Sequence, residues 1–145
     1  MSVFLLDVNV LVALLWPAHS SYARAHSWLI ENSRQGWATC PLTQAAAVRI
    51  ISNPAFSPDA LTPQEALKFV SANLKYPTHR FWFDEITYEQ AVQPFASSVT
   101  GHQQVTDAYL LGLAIHKRGK FATLDHSIAA LLPDKGLRRD HLELI

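Results

Sequence analysis

The chain has 145 residues, 49% hydrophobic and 17% charged, and its twelve basic and twelve acidic side chains cancel. That length lets one domain, residues 1–145, bury roughly two-thirds of its unfolded surface with no disulfide or metal staple, and a lone cysteine, Cys40, excludes an intramolecular disulfide and argues against a thiolate metal cluster. The first apolar run falls short of the ~20 residues a membrane span needs, lacks a basic leader and is broken by Asp7 and Asn9, so neither membrane anchor nor signal peptide is expected and the predicted location is the cytoplasm.

Val3 to Leu6 is short and apolar and ends at Asp7, which predicts a buried strand. Asn9 to Trp16 reads as a helix that Pro17 stops. Ser20 or Ser21 stands where a cap for a second helix would, with Ala23, His26, Trp28, Leu29 and Ile30 as its apolar stripe and Gly36 closing it. Trp37 to Cys40 predicts a second strand. Pro41 suits the first turn of the next helix, in which Gln44, Val48 and Ile51 share a face. Ser52 to Pro63 is a turn-rich loop with three prolines, and Thr62 caps a helix near Pro63 to Leu74. His79 to Ile86 holds a third strand, and Thr87 opens a helix to about Ala96. Ser97 to Val105 is a polar loop. Thr106 to about Arg118 is the strongest helix, with Ala108, Leu111, Ala114 and Ile115 on one face and Gly119 at its end. Phe121 to Leu124 predicts a fourth strand, Asp125 to Leu132 a short helix stopped by Pro133, and His141 to Leu144 a fifth strand.

Strands alternating with helices predict an α/β fold: a doubly wound, mainly parallel five-stranded sheet with helices on both faces. Ligands of such sheets sit beyond the carboxyl ends of the strands. Three acids fall there. Asp7 follows "VFLL", Asp125 follows "FATL", and Asp107 comes one residue after the expected cap Thr106. Three anions gathered at one rim repel unless a cation neutralises them, and oxygen-only ligands suit Mg2+ or Mn2+. Each acid also has a structural reading: Asp107 as a helix-dipole partner, Asp125 as a cap. Asp7 fits one less well, because its neighbours are apolar and an unpartnered buried carboxylate costs several kcal/mol. Asn9 caps the first helix or orients Asp7.

The blocks "LLDVNVLVALL", "VTDAYLLGLA" and "FATLDHSIAAL" together resemble the PIN-domain ribonucleases, and within them the VapC toxins of bacterial toxin–antitoxin pairs. "HSSYARAHSWL", "WATCPLTQAAAVRIISNP", "HRFWFD" and "GHQQVTDAYL" extend the resemblance over nearly the whole chain. It implies a PIN-like fold and a metal-dependent endoribonuclease. Asp7, Asp107 and Asp125 match acids that hold Mg2+ or Mn2+ and position a water for in-line attack on an RNA phosphodiester. Asn9, Thr106 and Thr123 match residues that line or brace the site. The resemblance further implies a homodimer and neutralisation by a cognate antitoxin.

The chain departs from that pattern at Gln44, in "PLTQ", where the family carries Glu. Gln keeps the shape and an acceptor oxygen but loses the charge, so three carboxylates should hold a divalent cation more weakly than four. The alternative reading is therefore a degenerate PIN-like domain that binds RNA or antitoxin with little or no cleavage. A remote alternative is a haloacid-dehalogenase-like phosphatase, faintly suggested by "LLDVNVLV" but lacking that motif's second Asp at Asn9 and a late pair of acids. Arg49, about 140° round the helix from Gln44, and His102, in the loop before Asp107, are candidate RNA or partner contacts. The four tryptophans fall on apolar faces and are expected in the core.

Overall fold

The computed structural model describes residues 2–145. Five strands, β1 (Phe4–Leu6), β2 (Trp37–Thr39), β3 (His79–Phe81), β4 (Lys120–Thr123) and β5 (Leu142–Leu144), form one sheet in the order β3-β2-β1-β4-β5. Every neighbouring pair is parallel. Seven helices connect and flank them: α1 (Val8–Leu15), α2 (Tyr22–Asn32), α3 (Pro41–Ile51), α4 (Pro63–Asn73), α5 (Tyr88–Val92), α6 (Val105–His116) and α7 (Lys135–His141). The expected doubly wound α/β fold is what the chain adopts.

Strand alternation divides the core. Leu5 points into one layer with Phe121, Leu111, Leu113 and Leu131, under α5 and α6. Phe4 and Leu6 point into the other, with Val10, Leu11, Trp28, Ile51 and Val70 of α1 to α4. β1 is buried along its whole length, as a central parallel strand covered on both faces must be. The winding runs β1, β2, β3 to one side and then returns to lay β4 and β5 on the other. The order therefore reverses between β1 and β4, and that switch point is where such sheets open a crevice for ligands.

Local chemistry explains most boundaries. Thr62 and Glu65 form a reciprocal capping box on α4, and Thr87 and Gln90 one on α5. Pro41 opens α3. Gly36 turns the chain into β2 at φ +109, where a Cβ would lie 2.9 Å from the Thr78 carbonyl.

Several details differ from the sequence expectation. Asp7, not Asn9, is the N-cap of α1, so the helix starts at Val8. Ser21 holds the N-cap position of α2 without a side-chain bond; its N–H instead donates to His19 Nδ1 at 3.0 Å. Ala25 and Trp28 are the buried residues of α2, while Ala23 and Ile30 lie exposed. α6 starts at Val105 after Gln104, so Thr106 is not its cap. Asp125 to Leu132 forms a 3-10 turn over His126–Leu131. α7 was not foreseen: seven residues with no buried member show no apolar period, and only its cap Asp134, which accepts from the Leu137 N–H at 2.9 Å, marks it. Trp28, Trp37 and Trp82 are core residues, and Trp16 is half-buried against Phe56.

Candidate active site

β1 and β4 flank the switch point, and an acid follows each: Asp7 directly after β1 and Asp125 two residues after β4. Asp7 is 3% exposed yet fully partnered. Its Oδ1 accepts from the Val8 N–H at 2.7 Å, and its Oδ2 from the Thr123 hydroxyl at 2.7 Å and the Asn9 amide at 3.3 Å. Thr123 is the last residue of β4, so its hydroxyl ties one strand end to the other. Asn9 completes the clasp: its amide nitrogen also donates to Thr123 Oγ1 at 3.2 Å, and its oxygen accepts from the Leu124 N–H at 3.1 Å. Asn9 therefore orients Asp7, and the cap reading is the one that falls.

Asp125 is exposed two residues beyond β4. Its N–H donates to Thr123 Oγ1 at 3.0 Å, and its Oδ1 accepts from the Ser127 N–H at 3.0 Å and hydroxyl at 2.6 Å. Asp107 stands half-buried in the first turn of α6, and no donor reaches its carboxylate among the described residues. Its pKa is pushed up to about 6, first by burial and then by the charges of Asp7 and Asp125. Burial likewise raises Asp7, against the pull of Thr123 and Val8, and the charge of Asp125 adds to the rise. The three acids thus share one electrostatic field, although they come from three separate segments.

The donor set fits a hard divalent cation. It is all oxygen, and among the described residues no cation pairs with any of the three acids and no donor reaches either oxygen of Asp107. Among the described residues no three His, Cys, Asp or Glu side chains stand close enough to hold one ion as they are. Mg2+ keeps several waters and takes one or two carboxylates directly, so a looser triad suits it.

The remaining candidates disperse. Thr106 is exposed and turned away from Asp107, as 100° per helical residue dictates; it lines a separate cavity with Leu42, Asp84 and Tyr109. Gln44 sits one turn into α3, on the same rim, because β2 ends beside β1. Its amide donates to Thr39 Oγ1 at 3.0 Å. Arg49 is exposed and lines a groove between α3 and α4 that Gln44 also borders, so the two share a surface despite their angular separation. His102 is exposed in a single 3-10 turn before α6.

No protein-family model matches the chain. Three relatives from Mycobacterium tuberculosis do. Ribonuclease VapC38 is 39% identical over 127 residues, 88% of each chain. Ribonuclease VapC44 is 38% identical over 138 residues, covering 95% of this chain and 96% of its own. Ribonuclease VapC29 is 40% identical over 130 residues, covering 90% and 91%. This chain belongs to the VapC family. The fold agrees: a solved VapBC2 from Rickettsia felis, bound to a DNA fragment from their promoter, superposes with a TM-score of 0.65 over 99% of this chain and 98% of that one, at 13% identity. Membership in the VapC family removes the phosphatase alternative, and Asn9, bonded on both its polar atoms, stands where that motif needs a free acid.

Two residues beside Gln44 carry no mark in the sequence of this VapC-family chain. Thr39 and His79 lie forty residues apart, and only the pairing of β2 with β3 brings Thr39 Oγ1 within 2.8 Å of His79 Nε2. The one sequence signal was a hydroxyl residue next to last in a predicted strand, which Thr123 also shows.

Proposed function

We propose that this chain is a Mg2+- or Mn2+-dependent endoribonuclease toxin that cuts RNA phosphodiester bonds and is neutralised by a cognate antitoxin. The observation that carries the reading is the convergence of Asp7, Asp107 and Asp125 at the switch point of the sheet, with Asp107 raised to about 6 by burial and its two acidic neighbours. Relatives named ribonucleases, 38–40% identical over most of the chain, support the activity. The solved VapBC2 neighbour supports an antitoxin partner.

In this reading the three acids hold the cation, which when bound would supply positive charge for the phosphate oxygens and a more acidic water. The protein's own contribution is preorganisation. Asn9 and Thr123 fix the Asp7 carboxylate before any ligand arrives, so no ordering entropy is lost at that step. Asp107, free of protein donors, can turn toward its load. Arg49 and His102 remain the candidates for RNA or partner contact. Among the described residues no helix is long and apolar enough to cross a membrane. The reading further takes the chain as one domain, working as a homodimer in the cytoplasm.

Gln44 favours a second reading, in which the site binds RNA or antitoxin with little cleavage. Incubating the purified protein with small structured RNAs and Mn2+ separates the two. Cleavage by the parent that chelator and Asp7→Asn both abolish supports the nuclease. Cleavage that survives Asp7→Asn overturns the metal-site reading. A silent parent whose Gln44→Glu variant cuts selects the degenerate reading.

A further inference from the structure

On the rim that carries the acids, a second cavity opens between α5 and the first turns of α3 and α6. Its volume is about 350 Å3, within the range of small-ligand pockets, and Leu42, Asp84, Tyr88, Val105, Thr106 and Tyr109 line it. None of these six side chains has a part in holding the cation. The cavity nevertheless adjoins the acids. Thr106 precedes Asp107 in the first turn of α6, Leu42 stands two residues before Gln44 in α3, and Asp84 follows the end of β3 by three.

Two of the walls are aromatic. Tyr88 and Tyr109 lie nearly parallel, with 15° between their planes and 6.3 Å between ring centres. Tyr88 is exposed yet fixed, because its hydroxyl donates to the Val105 carbonyl at 2.9 Å. Unstacked bases of single-stranded RNA pack on ring faces of this kind. Of the lining residues Asp84 alone is charged. Its neighbour Glu85 pairs with His116 and Lys117, at 3.2 Å each, while no cation pairs with Asp84 among the described residues. Burial first, and the Asp84 charge next, push the Tyr109 phenol up, so the field of that carboxylate reaches into the cavity. A lone carboxylate repels phosphate and can only accept hydrogen bonds. What it admits is a neutral group rich in N–H donors.

We propose that this cavity is a nucleobase subsite, which takes an unstacked guanine of the RNA beside the phosphodiester held at the acids. This rests on the reading of the chain as an endoribonuclease. Asp84 offers two acceptor oxygens, and guanine is the base whose pairing edge carries two adjacent donors, N1–H and the 2-amino group. The Thr106 hydroxyl, exposed and free of partners among the described residues, supplies a donor for guanine O6. Adenine, cytosine and uracil each present a single donor group on that edge and leave one carboxylate oxygen unmatched. Tyr88 supplies the stacking face. Position argues for RNA as the occupant: Thr106 and Asp107 are consecutive, so a strand lying across the acids brings its next base to the cavity.

Fluorescence anisotropy with labelled hexaribonucleotides tests this. Ca2+, a larger cation of the same charge, replaces Mn2+, and a gel checks that the RNA stays intact. The probes are hexauridine and hexauridine carrying one guanosine or one inosine. The parent should bind the guanosine RNA about tenfold tighter than hexauridine, as a bidentate base contact would give. Inosine lacks the 2-amino group and should lose most of that gain. Asp84→Asn should erase the difference between guanosine and inosine, and Tyr88→Ala should weaken the guanosine RNA several-fold. Equal binding of all three RNAs by the parent, or a folded Asp84→Asn variant that keeps the guanosine preference, overturns the proposal. So does sedimentation in which Tyr88→Ala splits a dimer while the base preference stays, which would make the cavity a contact between two copies. A parent that binds none of the hexamers also overturns it. If that parent cuts no structured RNA with Mn2+ either, the nuclease reading falls as well, whereas cleavage that Asp7→Asn abolishes leaves that reading standing.

Discussion

Replacing Asp107 by asparagine removes one of three converging charges and keeps the size of the side chain. In the metal-free protein this carboxyl is pushed from 3.8 up to about 6, by burial first and by Asp7 and Asp125 second. A rise of that size corresponds to about 3 kcal/mol against ionisation. The group is only half-buried and water screens it, so about 1 to 1.5 kcal/mol is the expected net effect. The native carboxyl keeps its proton to higher pH than the unfolded chain does. The native state therefore binds more protons between about pH 4 and pH 6, and stability falls as pH rises through that window. Urea unfolding in chelator near pH 7.5 should find Asp107→Asn more stable than the parent by about 1 to 1.5 kcal/mol. The gap should close near pH 4, where the parent's Asp107 is neutral as well. Saturating Mn2+ should reverse the order, because only the parent gains fully from binding. If the variant in chelator is no more stable than the parent near pH 7.5, burial and the two neighbouring acids do not penalise the Asp107 charge as described.

Mn2+ affinity of the parent should rise as pH climbs through about 6, with protons released on binding, because the Asp107 carboxyl must ionise first; calorimetry in buffers of different ionisation enthalpy counts those protons, and a flat profile from pH 5 to 7 contradicts this. Asn9→Ala should cost about 1 to 3 kcal/mol in urea unfolding, since it strips the Leu124 N–H and part of the Asp7 and Thr123 clasp; a change below about 0.5 kcal/mol would show that the clasp contributes nothing. Gly112→Ala should destabilise by about 2 to 3 kcal/mol despite alanine's better helix propensity, because the new Cβ would run into the Ala91 backbone where α5 crosses α6; an unchanged or raised melting temperature would show that α5 yields.

The strand-helix alternation, the doubly wound class and the three acids at strand ends were legible in the sequence by itself. Each depends on local pattern: short apolar runs closed by Asp7 or Asp125, and helices opened by Thr62, Pro41 or Thr87. The family resemblance was legible for the same reason, because its blocks are contiguous in the chain. Tertiary structure decided the rest. α7 packs as a charged single-sided helix that carries no period. Asp7 caps α1 while Asn9 reaches across to Leu124 and Thr123, a choice between two adjacent polar residues that only the neighbouring β4 settles. Thr106 lies inside α6 and lines a separate cavity with Leu42, Asp84 and Tyr109, which its place in the chain did not show. The link from His79 through Thr39 to Gln44 joins three segments whose spacing in the chain says nothing about contact. Hydrogen bonds act over about 3 Å in space, so which partner a polar side chain takes is set by strand order and register and is not written in its immediate sequence.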